Sequence, residues 1–288
     1  MQTLREVLAD ADERRVAIGH FNTPTVSMID AVVKAALKHN VPVIVGFSEG
    51  ERDFFGLRQA VLYVKSIREQ INHPVFVNAD HTYSLERVKE AIDAGFDSVV
   101  WDGADKPYRE NRDIAKAAVE YARASGRDVL VEAELGFIGA GSSLIEGPPP
   151  GAVITEEHMT KPPEASRFVS ETGVDLLAPA VGNLHGLLKS GKNPHINTER
   201  VAELRQAAGV PLVLHGGSGI SDEDFRKGIA SGIAQVHVST ELRVAYRRAL
   251  EASLKENPEE LAPYRYMQSV REAVQRTVED KLLLFSAP

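Results

Sequence analysis

The sequence predicts an eight-fold β/α barrel, on three observations. Eight short apolar runs recur along the chain: VAIGHFN (16–22), VPVIVGFS (41–48), PVFVNADH (74–81), DSVVWDG (97–103), VLVEAELG (129–136), DLLAPAVG (175–182), PLVLHGGS (211–218) and AQVHVST (234–240). Gly, Pro and polar clusters bound them, as suits parallel strands buried on both faces. Most of the intervening stretches are amphipathic, with apolar residues at i, i+3 and i+4. The third observation is chemical. His81, His185 and His215 each end or closely follow a strand run, and in such a barrel the C-terminal strand ends converge on one face, where active sites lie.

The elements follow in order. A helical stretch over residues 2–13 precedes the first strand, and another over about 258–283 follows the last. SLERVKEAIDAGF and NTERVAELRQAAG begin at N-caps, Ser84 and Asn197, and reach Gly near their ends. Eight strands in this alternation favour a closed barrel over an open doubly wound sheet. The 288 residues suit one barrel of about 250 residues with helices added at both ends, so a single domain over 1–288 is expected. One connection is too long for an ordinary βα loop: FIGAGSSLIEGPPPGAVITEEHMTK (137–161), rich in Gly, Ser and Pro. Its place after the fifth strand puts it over the predicted active face, so it is expected to be a lid.

Composition narrows the function. The net charge of −8 disfavours nucleic acid and anionic membranes, which demand a basic face. A phosphorylated small molecule fits, because a local basic pocket can oppose the global sign. With no cysteine, a metal site must use His and carboxylates. The first fifteen residues have no apolar signal region and no run of eighteen apolar residues occurs, so a cytoplasmic protein is expected. Three imidazoles at one rim can hold one Zn²⁺ with a fourth position open. Asp80, beside His81, adds a titratable group there. His20 reads as structural or as a partner just outside the ligand set, while His39, His73, His158 and His195 read as solvated.

NADH (78–81), VEAELG (131–136), VGNLHG (181–186), LHGGSG (214–219) and VHVSTELR (236–243) occur in that order on the third, fifth, sixth, seventh and eighth strands. Together they resemble the class II, zinc-dependent ketose-bisphosphate aldolases over nearly the whole chain. The resemblance implies that His81, His185 and His215 bind Zn²⁺, and that Asp80 handles the proton on the C4 hydroxyl. It implies that Asp102 and Glu134 belong to an alternative metal position. Ser48, Gly182, Gly186, Lys189, Gly217, Ser218 and the run from His237 through Ser239 to Thr240 would surround a substrate phosphate, with a monovalent cation nearby. Arg243 fits the distal phosphate. The substrate would be fructose-1,6-bisphosphate, tagatose-1,6-bisphosphate or another phosphorylated ketose, and the assembly a homodimer or homotetramer. The C-terminal segment with Tyr264, Tyr266, Met267, Val270 and Val274 serves as an interface or packs on the barrel's own helices.

The chain also departs from that family. His237 replaces the usual Asn of N-x-[DSAN]-T, and Ser239 stands where fructose-bisphosphate members often have Asp. The second strand reads Gly46-Phe47-Ser48-Glu49-Gly50 where Q-x-S-x-G is common. GAGSSLIEG replaces the usual acidic lid motif, leaving Glu146 as the lid acid/base by position. Two other functions compete. A metal-dependent hydrolase on the same barrel would more often carry His-x-His on strand one, where AIGHFN has a single His. A non-catalytic sugar-phosphate-binding relative would keep the metal site and alter the substrate site.

Overall fold

The computed structural model describes residues 2–148, 155, 156 and 159–286. In chain order these form α1 (Leu4–Arg14), β1 (Ile18–Asn22), α2 (Val26–His39), β2 (Val43–Phe47), α3 (Glu49–Phe55), α4 (Leu57–Ile71), β3 (Val75–Thr82), α5 (Leu85–Ala94), β4 (Ser98–Trp101), α6 (Tyr108–Ala124), β5 (Leu130–Leu135), β6 (Leu144–Ile145), α7 (Pro162–Thr172), β7 (Leu176–Pro179), β8 (Leu187–Leu188), α8 (Thr198–Ala208), β9 (Leu212–Leu214), α9 (Asp222–Ser231), β10 (Ile233–Val238), α10 (Thr240–Glu256) and α11 (Pro263–Phe285). Eight of the strands close a barrel in the order β1-β10-β9-β7-β5-β4-β3-β2. Each of the eight apolar runs supplies one barrel strand. All the barrel pairings are parallel. The short strands β6 and β8 pair separately.

Local signals set the helix boundaries. The Ser84 and Asn197 side chains accept from the backbone N–H of Arg87 and Arg200, satisfying first-turn donors. Gly95 and Gly209 end those helices in the left-handed conformation. Two cores result. Ile18, Ile44, Phe76, Leu130, Leu176 and Val213 fill the barrel's interior and pack on Leu4, Val7, Leu8 and Ala11 of α1, so α1 plugs the end opposite the strand C-termini. The larger core lies between the strands and the outer helices. Within α11, which packs on α2 and α10, Val270 and Val274 are fully buried, while Tyr264 is exposed. Those two valines therefore pack on the chain's own helices.

Candidate active site

Asp80 and His81 adjoin on β3, and strict strand alternation would send them to opposite faces. Two local features bring both to one cavity. The β3–β4 register shifts between Ala79 and Thr82, a bulge of the kind that re-aims side chains. His81 also takes φ 38°, the left-handed region, a backbone state of about 1–3 kcal/mol that persists where its surroundings over-determine it. The neighbouring Arg52 supplies such surroundings. Buried on α3, it donates to the carbonyls of Asp80 and Phe47 at 2.7 Å each and to Thr82 Oγ1 at 3.0 Å.

His81, His185 and His215 come together at this cavity, with ligand atoms within 4.8 Å of one another. The network settles which nitrogens are available. His185 Nδ1 donates to the Gly139 carbonyl at 2.7 Å, leaving Nε2 buried without a partner among the described residues. His215 Nε2 meets Glu132 Oε1 at 2.6 Å, leaving Nδ1 without a hydrogen-bond partner among the described residues, its nearest carboxylate oxygen Glu134 Oε1 at 3.5 Å. Buried polar atoms are seldom left so, and two aimed into one cavity fit a metal ion. His81 Nδ1 faces Asp102 Oδ2 at 2.8 Å and Glu134 Oε1 at 3.0 Å, and its Nε2 lies 3.7 Å from Asp80 Oδ2. His81, Asp102 and Glu134 form a second set with metal-holding geometry.

Electrostatics prepare two of the three histidines for ligation. At the third, burial opposes the charge of His81, yet Asp80, Glu134 and Asp102 hold its pKa well above the usual value, so ion binding there displaces a proton. Burial, with the charge of His81, lowers the His185 pKa to about 4. Burial and the neighbouring imidazoles hold His215 well below its usual value. Both are therefore neutral, as ligation requires. Burial opposes ionisation of Asp80, yet His81, His237 and His20 hold its carboxyl well below the carboxylate range. Burial and the nearby Asp102 raise Glu134 to about 7, and burial beside Asp80 and Glu134 holds Glu132 well above the usual carboxylate range.

His237 is buried and stacks on His20, ring centroids 3.5 Å apart and planes within 8°. Gly46 makes this stack possible, since a Cβ there would lie 2.1 Å from the His20 ring. The absent glutamine of strand two and the histidine of strand eight are thus parts of one packing arrangement. Parallel rings send their in-plane lone pairs along separate planes, so His20 and His237 do not converge on one ion with Asp80. Gln235 Nε2 lies 2.6 Å from His237 Nε2. Read as an amide donor, it makes Nδ1 the protonated nitrogen of His237. That Nδ1 is 3.2 Å from Asp80 Oδ1.

The remaining predicted residues divide. Gly186, Gly217, Ser218, His237, Ser239 and Thr240 line the cavity with Asp80 and the three histidines; Ser48, Gly182, Lys189 and Arg243 do not. Ser48 caps α3, its N–H bonded to Glu51 Oε2 at 2.8 Å. The glycines serve close backbone approach: a Cβ on Gly182 would meet the His195 carbonyl at 2.8 Å, and one on Gly217 the His237 carbonyl at 2.7 Å. Lys189 pairs with Glu146, whose side chain is 82% exposed. Of the segment 137–161, residues 149–154, 157 and 158 lie outside the described residues. Its earlier part is hydrogen-bonded to the loop after His185, through His185 N–H to Ile138 O and Leu187 N–H to Ser143 O, both 2.9 Å.

His20 is structural as expected, bonded to Asn78 Oδ1 at 3.1 Å. His195 is exposed and pairs with Asp224; His158 lies outside the described residues. His73 corrects its expectation. It is buried, with Nε2 2.8 Å from the Val41 carbonyl, because its ring satisfies that carbonyl beside the β2–β3 edge. His39 is half-buried, not solvated. Sequence reasoning passed over Glu132, Gln235, Asn22 and Glu51. A signal for the first three existed: His20/Asn22, Asn78/Asp80, Glu132/Glu134 and Gln235/His237 are polar pairs two residues apart on otherwise apolar strands, and a period of two marks one face.

The sequence profile of the family described as "Fructose-bisphosphate aldolase class-II" matches residues 2–287. A fructose-bisphosphate aldolase of Staphylococcus aureus is 37% identical over 286 residues, covering 98% of this chain and 96% of its own. One from Staphylococcus epidermidis is 36% identical with the same coverage. Among solved structures, the YdjI aldolase of Escherichia coli K12 superposes with a TM-score of 0.82 at 33% identity, covering 98% of this chain and 96% of that one. The closed parallel barrel, the three histidines facing one cavity and the full-length match agree: this chain belongs to the class II fructose-bisphosphate aldolase family.

Proposed function

We propose that the protein cleaves a phosphorylated ketose, with fructose-1,6-bisphosphate the first candidate, to dihydroxyacetone phosphate and an aldehyde, using one Zn²⁺ on His81, His185 and His215. The orphaned His185 Nε2 and His215 Nδ1 beside Asp80 carry this reading. Imidazole donors favour zinc over Mg²⁺ or Ca²⁺, which prefer oxygen. Bound there, the ion supplies Lewis acidity toward the oxygens next to the bond that breaks.

The chain's own residues do the rest. Asp80 accepts the C4 hydroxyl proton. Asn22 Nδ2 donates to its Oδ2 at 2.9 Å, and His237 Nδ1 faces its Oδ1. Asp102 and Glu134 orient His81 through Nδ1 and offer an alternative metal position. One phosphate rests on the loop of Gly217 and Ser218 and on Thr240 at the start of α10. The start of α9 suits it less, because Asp222, Glu223 and Asp224 fill that first turn with negative charge. Lys189 is a rim cation for that same phosphate and Arg243 one for the distal phosphate, each already partnered by a carboxylate. Glu146 is the mobile acid/base, brought in only if residues 137–161 move as a lid. The site belongs to one domain over 1–288, in a cytoplasmic homo-oligomer.

A coupled assay for triose phosphate tests the function over fructose-1,6-bisphosphate, tagatose-1,6-bisphosphate and a phosphorylated deoxy-ketogluconate. No turnover of any would favour a non-catalytic sugar-phosphate binder. The same assay on His237→Asn and Ser239→Asp is expected to move the fructose/tagatose kcat/KM ratio by more than about twofold, some 0.4 kcal/mol of differential transition-state binding. A smaller change in both variants places specificity elsewhere. Hydrogen exchange of residues 137–161 is expected to slow when a substrate analogue saturates the enzyme; unchanged exchange would refute the lid.

A further inference from the structure

Glu51 belongs to none of the site roles above, yet it is a carboxylate only 7% exposed at the cavity's edge. Three donors converge on it. Oε2 accepts from Ser48 N–H at 2.8 Å and from Asn22 Nδ2 at 3.1 Å, and Oε1 accepts from Arg243 Nη2 at 2.6 Å. Two of these partners lead onward. The same Asn22 Nδ2 donates to Asp80 Oδ2 at 2.9 Å, and Arg243 Nη1 donates to the carbonyl of Ser142, in the segment 137–161, at 3.3 Å. Asn22 thus turns its amide nitrogen to two carboxylates at once, which fixes its flip state. The next residue on α3, Arg52, holds the backbone carbonyl of Asp80.

We propose that Glu51 is a positioning residue, which locks the Asn22 amide against Asp80 and, through Arg243, ties the 137–148 segment to that arrangement. The proposal rests on the aldolase reading for the role of Asp80. Among the described residues, Glu51 and Asp80 are the side-chain acceptors of the Asn22 nitrogen, so loss of the Glu51 carboxylate removes one of its two holds. A flipped amide would set its oxygen against the carboxylate and displace it. A misplacement on the order of 1 Å can cost about a hundredfold in rate. Because Oε2 serves two donors and Oε1 one, the two arms can be separated. In Glu51→Gln the carbonyl oxygen satisfies Ser48 N–H and Asn22, while the amide nitrogen turns to Arg243 and loses that link.

Two readouts test this in wild type, Glu51→Ala and Glu51→Gln, each with metal content and melting temperature measured. The first compares kcat for ketose cleavage, which uses Asp80, with solvent proton exchange into dihydroxyacetone phosphate, which needs no C4 hydroxyl. Glu51→Ala is expected to lower cleavage about ten- to a hundredfold while exchange changes less than about threefold, and Glu51→Gln to restore most of the loss. The second is hydrogen exchange of residues 137–148 in the substrate-free protein, faster in both variants. Equal loss of cleavage and exchange, no loss of either, or no rescue by Gln overturns the Asp80 arm. Unchanged hydrogen exchange overturns the Arg243 arm, whether or not the enzyme turns over. A wild type inactive on every ketose phosphate refutes the aldolase reading itself, and the Asp80 arm with it.

Discussion

Asp80→Ala is expected to lower kcat by at least about a hundredfold, the low end of what a positioned general base contributes, while leaving the metal and the fold in place. The carboxylate sits beside the proposed ligand His81 but points its oxygens elsewhere: Oδ2 to Asn22 Nδ2 at 2.9 Å and Oδ1 toward His237 Nδ1 at 3.2 Å. Its approach to His81 Nε2 is longer, 3.7 Å, whereas Asp102 is hydrogen-bonded to the other nitrogen of that ring at 2.8 Å, with Glu134 Oε1 3.0 Å from the same nitrogen. His81 therefore has a closer orienting partner in Asp102, hydrogen-bonded to its Nδ1, and keeps its place when Asp80 is gone. Steady-state kinetics with elemental analysis decide the matter. A variant that loses its metal would mean that Asp80 orients the ligand and is not the base.

His215→Ala should abolish both stoichiometric zinc and turnover. Deleting this ring removes one of three imidazole donors, and it strands Glu132, which is fully buried and bonded to His215 Nε2 at 2.6 Å. Glu132→Gln gives the graded counterpart. Removing an outer partner of a ligating histidine typically costs about ten- to a hundredfold in affinity or activity, so this variant should bind zinc more weakly without losing it. Chelation should lower the melting temperature of wild type, since a ligand present at a thousand times its Kd stabilises by about 4 kcal/mol. His215→Ala should show no such shift. Equal zinc in wild type and His215→Ala would refute the three-histidine site.

The outline of the barrel was legible because its signal is local. Each parallel strand is an apolar run bounded by breakers, and each helix carries its own cap and its own stripe. The histidines were legible for a related reason: once a run is a barrel strand, its C-terminal end has only one place to go. Glu132 escaped notice although Glu134 did not. Both lie on β5 two residues apart, and the shared face is the clue that a reading confined to strand ends discards.

The sequence by itself determined the eight-strand alternation, the rim on which His81, His185 and His215 meet, and Asp80 beside them. Only the tertiary structure decided how Asp80 and His81 share one cavity, through a bulge against β4 and a left-handed backbone at His81. It alone decided that Gly46 leaves room for His20 to stack on His237, that Glu146 lies exposed against Lys189, and that Arg243 is committed to Glu51. The reason is sequence separation. Periodicity and capping are read within a few residues, whereas the Glu132–His215 and Glu51–Arg243 contacts join positions 83 and 192 residues apart. Closure of the barrel brings such pairs together, and no local pattern in the chain says which residue meets which, even where, as at Glu132, a period of two marks the face.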